Sequence, residues 1–383
     1  MFIRLKKFCK RISTSYSCKT VIERNTQSIL SGLSQGDHLC IDFSNFQKTN
    51  IEITTKWQDH CELLKFDTTK INHDSCDNSS HHNSELVLKA LKDINDPKLV
   101  NLYIVRNDLE MGKFNDIEEC LNLSLSVPEY FNVSVNASQL SLHIKNKFQG
   151  DLAVSSNEGE IFIDKLRGNM IHLDCWESSV SVKKLLEGNI HINCKNLIAK
   201  MVNGDKVDIR SEKKIEIESI YSKDCCFNAL EGVKIGQCHG NLKVKNEFRG
   251  VDVGGIDGSF DIISTNGNIN IQVNKLDKTR QSTVTALMGS INGSIDPEIV
   301  ANIECSSLSP NSNRDTITIA SDAFELFNNT KYTSDTFQKV GRFTGKSTIT
   351  KRPSFQSNNS LSSGKVDLKA AENQSLINRN VDT

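Results

Sequence analysis

An apolar-x-apolar pair recurs in this chain every nine or ten residues, and no other feature restricts its fold so strongly. It occurs at Val133/Val135, Leu142/Ile144, Leu152/Val154, Ile161/Ile163, Ile171/Leu173, Val180/Val182, Ile190/Ile192 and Ala199/Met201. Every second pair lies nineteen residues on, which gives the columns Val133, Leu152, Ile171, Ile190, Ile209 and Ile144, Ile163, Val182, Met201. After a jog through Asn203–Lys214 the register resumes, eighteen apart, at Ile215/Ile217, Val233/Ile235, Val251/Val253 and Ile269/Ile271. Leu242/Val244 and Phe260/Ile262 fall midway between these, and Asp224/Cys226 marks an imperfect half-turn. Glycines such as Gly150, Gly159, Gly240 and Gly258 sit between the pairs. The residue inside a pair is mostly polar, as at Ser134, His172, His191, Lys234, Lys243, Asp252, Asp261 and Asn270.

An apolar-x-apolar triplet in an extended strand sends both apolar side chains to one face and the middle one to the other. A strand so short cannot bury that face alone, whereas equivalent strands stacked coil on coil build one continuous narrow core. The expected fold is therefore all-β: a parallel β-solenoid over 133–305 with two short strands per coil of 18–19 residues. The competing arrangement is an antiparallel meander, in which Asn266-Gly267 would be a hairpin turn. Columns that keep register over so many turns favour the solenoid.

The flanks are less regular. Strand-like pieces at Leu39–Phe43, Ile51–Thr55, Leu86–Leu88, Leu102–Val105 and Leu121–Val127, broken by the polar stretch Asn72–Ser84, predict a β-rich N-terminal cap over 21–132. The segment 306–383 is rich in Ser and Asn. Short closing strands are expected there at Ile317/Ile319, Ile349 and Val366/Leu368, with disorder across Thr350–Ser363. The first twenty residues, MFIRLKKFCKRISTSYSCKT, carry Arg4, Lys6, Lys7, Lys10, Arg11 and Lys19 and no acid. As a helix they place Phe2, Leu5, Phe8 and Ile12 near one face and Arg4, Lys7 and Arg11 towards another. That is the composition of a mitochondrial presequence, so the mitochondrial matrix is the expected compartment.

Composition narrows the function classes. Lys and Arg (46) balance Asp and Glu (47), so no global field favours nucleic acid. No apolar run approaches the ~20 residues of a membrane-spanning helix. The twelve cysteines are too dispersed for a disulfide framework and read as reduced, mostly buried thiols. Asn-x-Ser/Thr triplets at Asn78, Asn122, Asn132, Asn136, Asn292 and Asn328 are the one argument for secretion.

Metal-site candidates are His60, Cys61, His73, Cys76, His81 and His82, of which only His73-x2-Cys76 approaches ligand spacing. His172 with His191, and Cys175 with Cys194, recur nineteen residues apart, but the repeat itself explains them. Cys225-Cys226 and Cys238-His239 are neighbours in sequence and point to opposite sides of a strand. There is no Gly-x-Ser-x-Gly, His-Glu-x-x-His or phosphate-cradling glycine loop before a helix. No catalytic, metal or cofactor residue is therefore assigned, and no small-molecule ligand is indicated.

The runs SNEGEIFIDKLRGNMIHLDC (156–175), EGVKIGQCHGNLKV (231–244) and VGGIDGSFDIISTNGNINIQV (253–273) resemble the adhesin-like domain of bacteria and animals. More narrowly they are similar to the animal group called family with sequence similarity 185, member A. SGKVDLKAAENQSL (363–376) is similar to that group's closing strand. The resemblance implies a β-solenoid, mitochondrial residence for the animal group, and no enzymatic activity. The functional expectation is a non-catalytic scaffold or module that binds a protein partner. A carbohydrate-active or other β-helix enzyme and a secreted adhesion protein are the alternatives. Residues 1–20 fused to a reporter should carry it into mitochondria. Replacing Arg4, Lys7 and Arg11 with Glu should abolish import, and a native segment that leaves the reporter in the cytosol would contradict the assignment.

Overall fold

The structure, a computed structural model, describes residues 36–44, 48–56, 65–70, 86–92, 96, 98–106 and 120–296. Beyond these it describes the segments 299–307, 317–320, 324–325, 331–333, 336–344, 347–351 and 364–370. The presequence-like residues 1–20 lie outside them, as do the stretch Asn72–Ser84 and 352–363. Every described element is a strand, and the principal pairings are parallel, so the chain is a β-solenoid. It divides into two compact units, Met1–Glu187 and Gly188–Thr383.

In the first unit, the coils do not follow chain order. His38–Phe43 pairs in parallel with Leu99–Arg106 on one side and with Asn132–Gln149 on the other. Lys48–Lys56 lies likewise between Cys120–Pro128 and the same Asn132–Gln149 strand. The first coil in sequence is thus the second in space. The 21–132 segment, expected as a β-rich cap, supplies strands that stack in parallel on the solenoid, with no constant sequence step between partners. Two antiparallel strands, Leu86–Lys92 on Leu99–Arg106 and Lys65–Lys70 on Cys120–Pro128, then cover the outer edge. Reversed strands of this kind remove a row of parallel-pairing groups that would template another chain. On the other side, Val133 and Val135 stand over Leu152 and Val154, and Leu142 and Ile144 over Ile161 and Ile163. All eight are buried.

The second unit repeats at eighteen residues. Leu197, Ile215, Val233, Val251 and Ile269 form one inward column, and Ala199, Ile217, Ile235, Val253 and Ile271 form the next. Val202, Ile220, Cys238, Ile256 and Val273 fill the corner. The second face is built from Val207, Cys225, Leu242 and Phe260 with Ile209, Phe227, Val244 and Ile262. Two corrections to the sequence columns follow. Leu197 and Ala199 form the buried pair, and Met201 points out, because the chain reaches this strand after a shorter corner. The jog at Asn203–Lys214 is an ordinary half-coil in which Val207 and Ile209 point inward.

The imperfect half-turn has a specific cause. Ser222 pairs with Gly240, but Asp224 pairs with Asn241, so Lys223 is an extra residue bulged out at the corner. The bulge moves the register by one, and Cys225 and Phe227 turn inward in place of Asp224 and Cys226. In the same corner column a Cβ on Gly240 (φ 124°) would strike the Ser222 carbonyl oxygen, and one on Gly258 (φ 150°) the Gly240 carbonyl oxygen. Inward hydroxyls add a further bond to carbonyls at the corners. Ser211 donates to the Lys195 oxygen at 2.7 Å, and Ser156 to that of Glu158 at 2.8 Å.

Closure of the second unit is antiparallel as well. Gly364–Ala370 pairs with Gln281–Met288 and with Val300–Ser307, and Ser347–Lys351 pairs with Ile291–Ile295 and Ile317–Ala320. The three closing strands expected from sequence therefore join the sheet. Val253 lies between Ile235 and Ile271 and is 1% exposed, whereas Asp252 faces out. Val253→Asp should abolish a cooperative unfolding transition, because an unpaired buried carboxylate costs several kcal/mol, on the order of 3–5. Asp252→Lys should move stability by no more than about 0.5 kcal/mol. Denaturant melts of both variants check the register, and the opposite ranking would place it off by one.

Candidate functional site

The outer faces are largely occupied with their own pairing. Asn270 accepts from the Asn292 amide at 2.9 Å, Asn122 from Asn50 at 2.6 Å, and Asp261 from Thr283 at 2.5 Å. Lys145 pairs with Glu52 at 2.7 Å and Arg167 with Glu187 at 2.7 Å. Residues at the same place in neighbouring coils stand ~4.8 Å apart, within reach of a hydrogen bond between short side chains.

One corner column of the second unit differs. Asn203, Tyr221, His239, Asp257 and Lys275 stand one above the next, eighteen residues apart. The Tyr221 and His239 rings are stacked, with centroids 4.6 Å apart and planes 6° from parallel. His239 Nδ1 lies 3.2 Å from Asp257 Oδ2, and Lys275 Nζ reaches the same oxygen at 4.0 Å. The other Asp257 oxygen, Oδ1, is buried and has no hydrogen-bond partner among the described residues. Beside this column Gln237 and Asn274 extend over Gly255, where a Cβ would strike the Gln237 amide oxygen and lie 2.7 Å from the Asn274 nitrogen. The result is a ridge of one phenol, one imidazole, a carboxylate, an ammonium group and three amides on one corner.

This arrangement can hold and orient a polar partner. A phenol laid flat on an imidazole does not share its proton with a ring nitrogen, so Tyr221 and His239 do not form a nucleophile–base pair. The sequence reading missed the column because it followed strand positions only. The signal was available: 221, 239, 257 and 275 keep the same eighteen-residue step as Val233 and Val251.

His60, Cys61, His73, Cys76, His81 and His82 fall outside the described residues. His172 belongs to the first unit and His191 to the second, each part-exposed, and His191 Nδ1 lies 3.4 Å from Asp208. Cys175 and Cys194 are buried core side chains. Burial pushes the Cys194 thiol up to about 12, which removes it from nucleophilic chemistry. Among the described residues no three His, Cys, Asp or Glu side chains converge on a metal position. No described helix is long and apolar enough to cross a membrane, which does not bear on crossing by strands.

The triplet asparagines are tied into ladders. The side-chain nitrogens of Asn132, Asn136 and Asn292, where a glycan would attach, donate to Gly36 O (3.2 Å), Asp42 Oδ1 (3.1 Å) and Asn270 Oδ1 (2.9 Å). Asn78 and Asn328 lie outside the described residues.

No family profile matches the chain, and no curated protein matches it. Among solved structures it is similar to a crystal structure described as that of a candidate cell adhesion protein from Clostridium sporogenes. The identity is 12% and the TM-score 0.21, over 70% of this chain and 98% of that one. At that level the similarity carries no inference about function. The stacked pair is open to direct measurement. Tyr221→Ala and His239→Ala, singly and together, should leave the fold intact and show a coupling of about 0.5–1.5 kcal/mol in a double-mutant cycle. Strict additivity would mean that the rings do not pack in solution.

Proposed function

We propose that this protein is a non-catalytic binding module, with the Tyr221–His239–Asp257–Lys275 corner as the surface it offers to a protein partner. The observation that carries the reading is the contrast between that corner and the faces beside it. Face residues pair as like with like or as simple ion pairs, whereas the corner, also paired along its ladder, lines up two stacked part-exposed rings, a carboxylate with one unpartnered oxygen and an ammonium group. Aromatic groups with a polar edge are enriched where proteins meet, since they combine contact area with hydrogen bonding at little entropic cost.

The finer parts of the proposal rest on the sequence. The basic, acid-free N-terminus supports residence in the mitochondrial matrix, and the motif runs at 156–175, 231–244 and 253–273 support kinship with the animal group named above. The ladder bonds of Asn132, Asn136 and Asn292 weigh against the secreted reading, because a glycan there would have to fit beside a nitrogen already bonded to the neighbouring coil. Proximity labelling by the full-length chain in cells reports compartment and neighbours together. Labelled proteins should be mitochondrial, and a subset should disappear when Tyr221 and His239 are both replaced by Ser. Labelling confined to secretory proteins, or a set unchanged by the double replacement, would contradict the proposal.

A further inference from the structure

An apolar column runs along the other corner of the second unit, half a coil from Tyr221 and His239. Leu230, Phe248, Asn266 and Met288 stand one above the next there. Phe248 N donates to the Leu230 oxygen at 2.7 Å, and Gly267 N to the Met288 oxygen at 2.8 Å. Leu230 is 41% exposed, Phe248 51%, and Met288 and its neighbour Leu287 38% each. Asn246 donates to the Phe248 carbonyl at 2.6 Å. Arg249 follows in the left-handed region (φ 66°), ion-paired to Glu231 at 3.3 Å, so the Phe248 turn is held from both sides. Apolar side chains aligned in this way mark a contact surface, whereas scattered single ones do not.

The chain's own continuation meets this corner from both sides. Ser347–Lys351 runs antiparallel to Ile291–Ile295 with Thr350 opposite Asn292, so the chain leaves Lys351 towards Ser290. Gly364–Ala370 runs antiparallel to Gln281–Met288 with Gly364 opposite Ala286, so the chain enters it from beside Leu287. Residues 352–363, which lie outside the described residues, thus begin and end on either side of the 287–290 corner. Connections of about 2–6 residues are the usual length for so short a crossing, and this one has twelve. Extended, twelve residues span up to ~40 Å. From Met288 along the column to Leu230 is about 14 Å at the ladder spacing, and the return doubles that. The sequence RPSFQSNNSLSS is polar except at Pro353, Phe355 and Leu361. Phe355 lies four residues from Lys351 and Leu361 three from Gly364, which gives reaches of about 13 and 10 Å. Phe248 stands about 10 Å from Met288 along the column.

We propose that residues 352–363 turn back along this column and lay Phe355 against Phe248 and Leu361 against Met288, so that the exposed corner is the docking surface for the chain's own segment. The polar run Gln356–Ser360 makes the turn and stays in water. Tethering decides between this occupant and a second copy of the chain. Both ends of the segment are already anchored beside the corner, so its effective concentration there is high, whereas a second copy loses translational and rotational freedom on docking. This inference does not rest on the partner-binding proposal, which concerns the other corner.

Full-length protein is digested briefly with chymotrypsin under native conditions, and the cut after Phe355 is timed by mass. A docked residue is cut only when the segment lifts off, so the rate follows the lifted population. Phe248→Ser should speed that cut about tenfold, the effect of losing one partly buried aromatic contact, while circular dichroism shows the strands intact. Replacing Phe355 and Leu361 together with Ser gives the reciprocal measurement and leaves the solenoid strands untouched. Met288 should then be oxidised faster by hydrogen peroxide, read against Met201, which is 36% exposed outside this column. A cut after Phe355 as fast in the parent as in Phe248→Ser, or Met288 oxidation unmoved by the double replacement, would overturn the proposal. Protection of Phe355 that rises with protein concentration would place a second copy on the corner and overturn it as well.

Discussion

A strand of four or five residues has one place to bury its apolar face, which is against its own equivalent one coil away. Everything else in this protein depends on that stacking. Each inward Val, Leu or Ile is worth about 2 kcal/mol once buried, but only if its coil arrives with the right side chain facing in. A shift of one residue would turn every inward side chain of a strand to solvent. The chain therefore absorbs length differences at the corners, where Lys223 bulges out, and keeps the strands in register. Four extra residues enter the same way at 277–280, where Asp277 accepts from the Thr279 backbone and hydroxyl at 2.8 and 2.7 Å and closes a tight turn.

Stacking has a cost at its ends, because the last coil presents an unpaired ladder. Each unit meets it by reversing strand direction. In the first, Lys65–Lys70 and Leu86–Lys92 run antiparallel to the outermost coil. In the second, Gly364–Ala370 and Ser347–Lys351 do so. The first unit adds a device of its own, in that the coil formed by His38–Phe43 and Lys48–Lys56 is sandwiched between later segments. The N-terminal strand is thereby buried on both ladder edges, and the first coil cannot fray from an open end.

The strand interiors were legible from sequence because their physics is periodic. Val133 to Val182 and Ile215 to Ile271 were placed by counting alone, as were the closing strands at Ile317, Ile349 and Val366. The errors came where period and corner length part. Met201 was placed inside, but Leu197 and Ala199 occupy the core positions; the half-turn at Asp224/Cys226 concealed Cys225 and Phe227; and the strands before Val133 keep no constant step to the partners they stack on. The corner column of Tyr221 and His239 was overlooked for a related reason. Each of these corner residues follows a single inward side chain (Ile220, Cys238, Ile256) rather than an apolar-x-apolar pair, so the eighteen-residue step is what marks them. The metal-site candidates between His60 and His82 follow no apolar period, only His73-x2-Cys76 approaches ligand spacing, and all six lie outside the described residues.

The central claim is that outward residues eighteen apart are direct neighbours in a parallel ladder. Lys234→Cys and Asp252→Cys, spin-labelled in a background where Cys226 is Ser, test it most directly, since both positions are exposed and paired with each other. Parallel coils place the two backbones about 4.8 Å apart. Strong dipolar broadening is then expected, falling sharply when the second label is moved to Asn270, two coils away. An antiparallel meander would instead put Lys234 and Asp252 about 10 Å apart, on strands that are not neighbours. Broadening no stronger for 234/252 than for 234/270 would contradict the solenoid register.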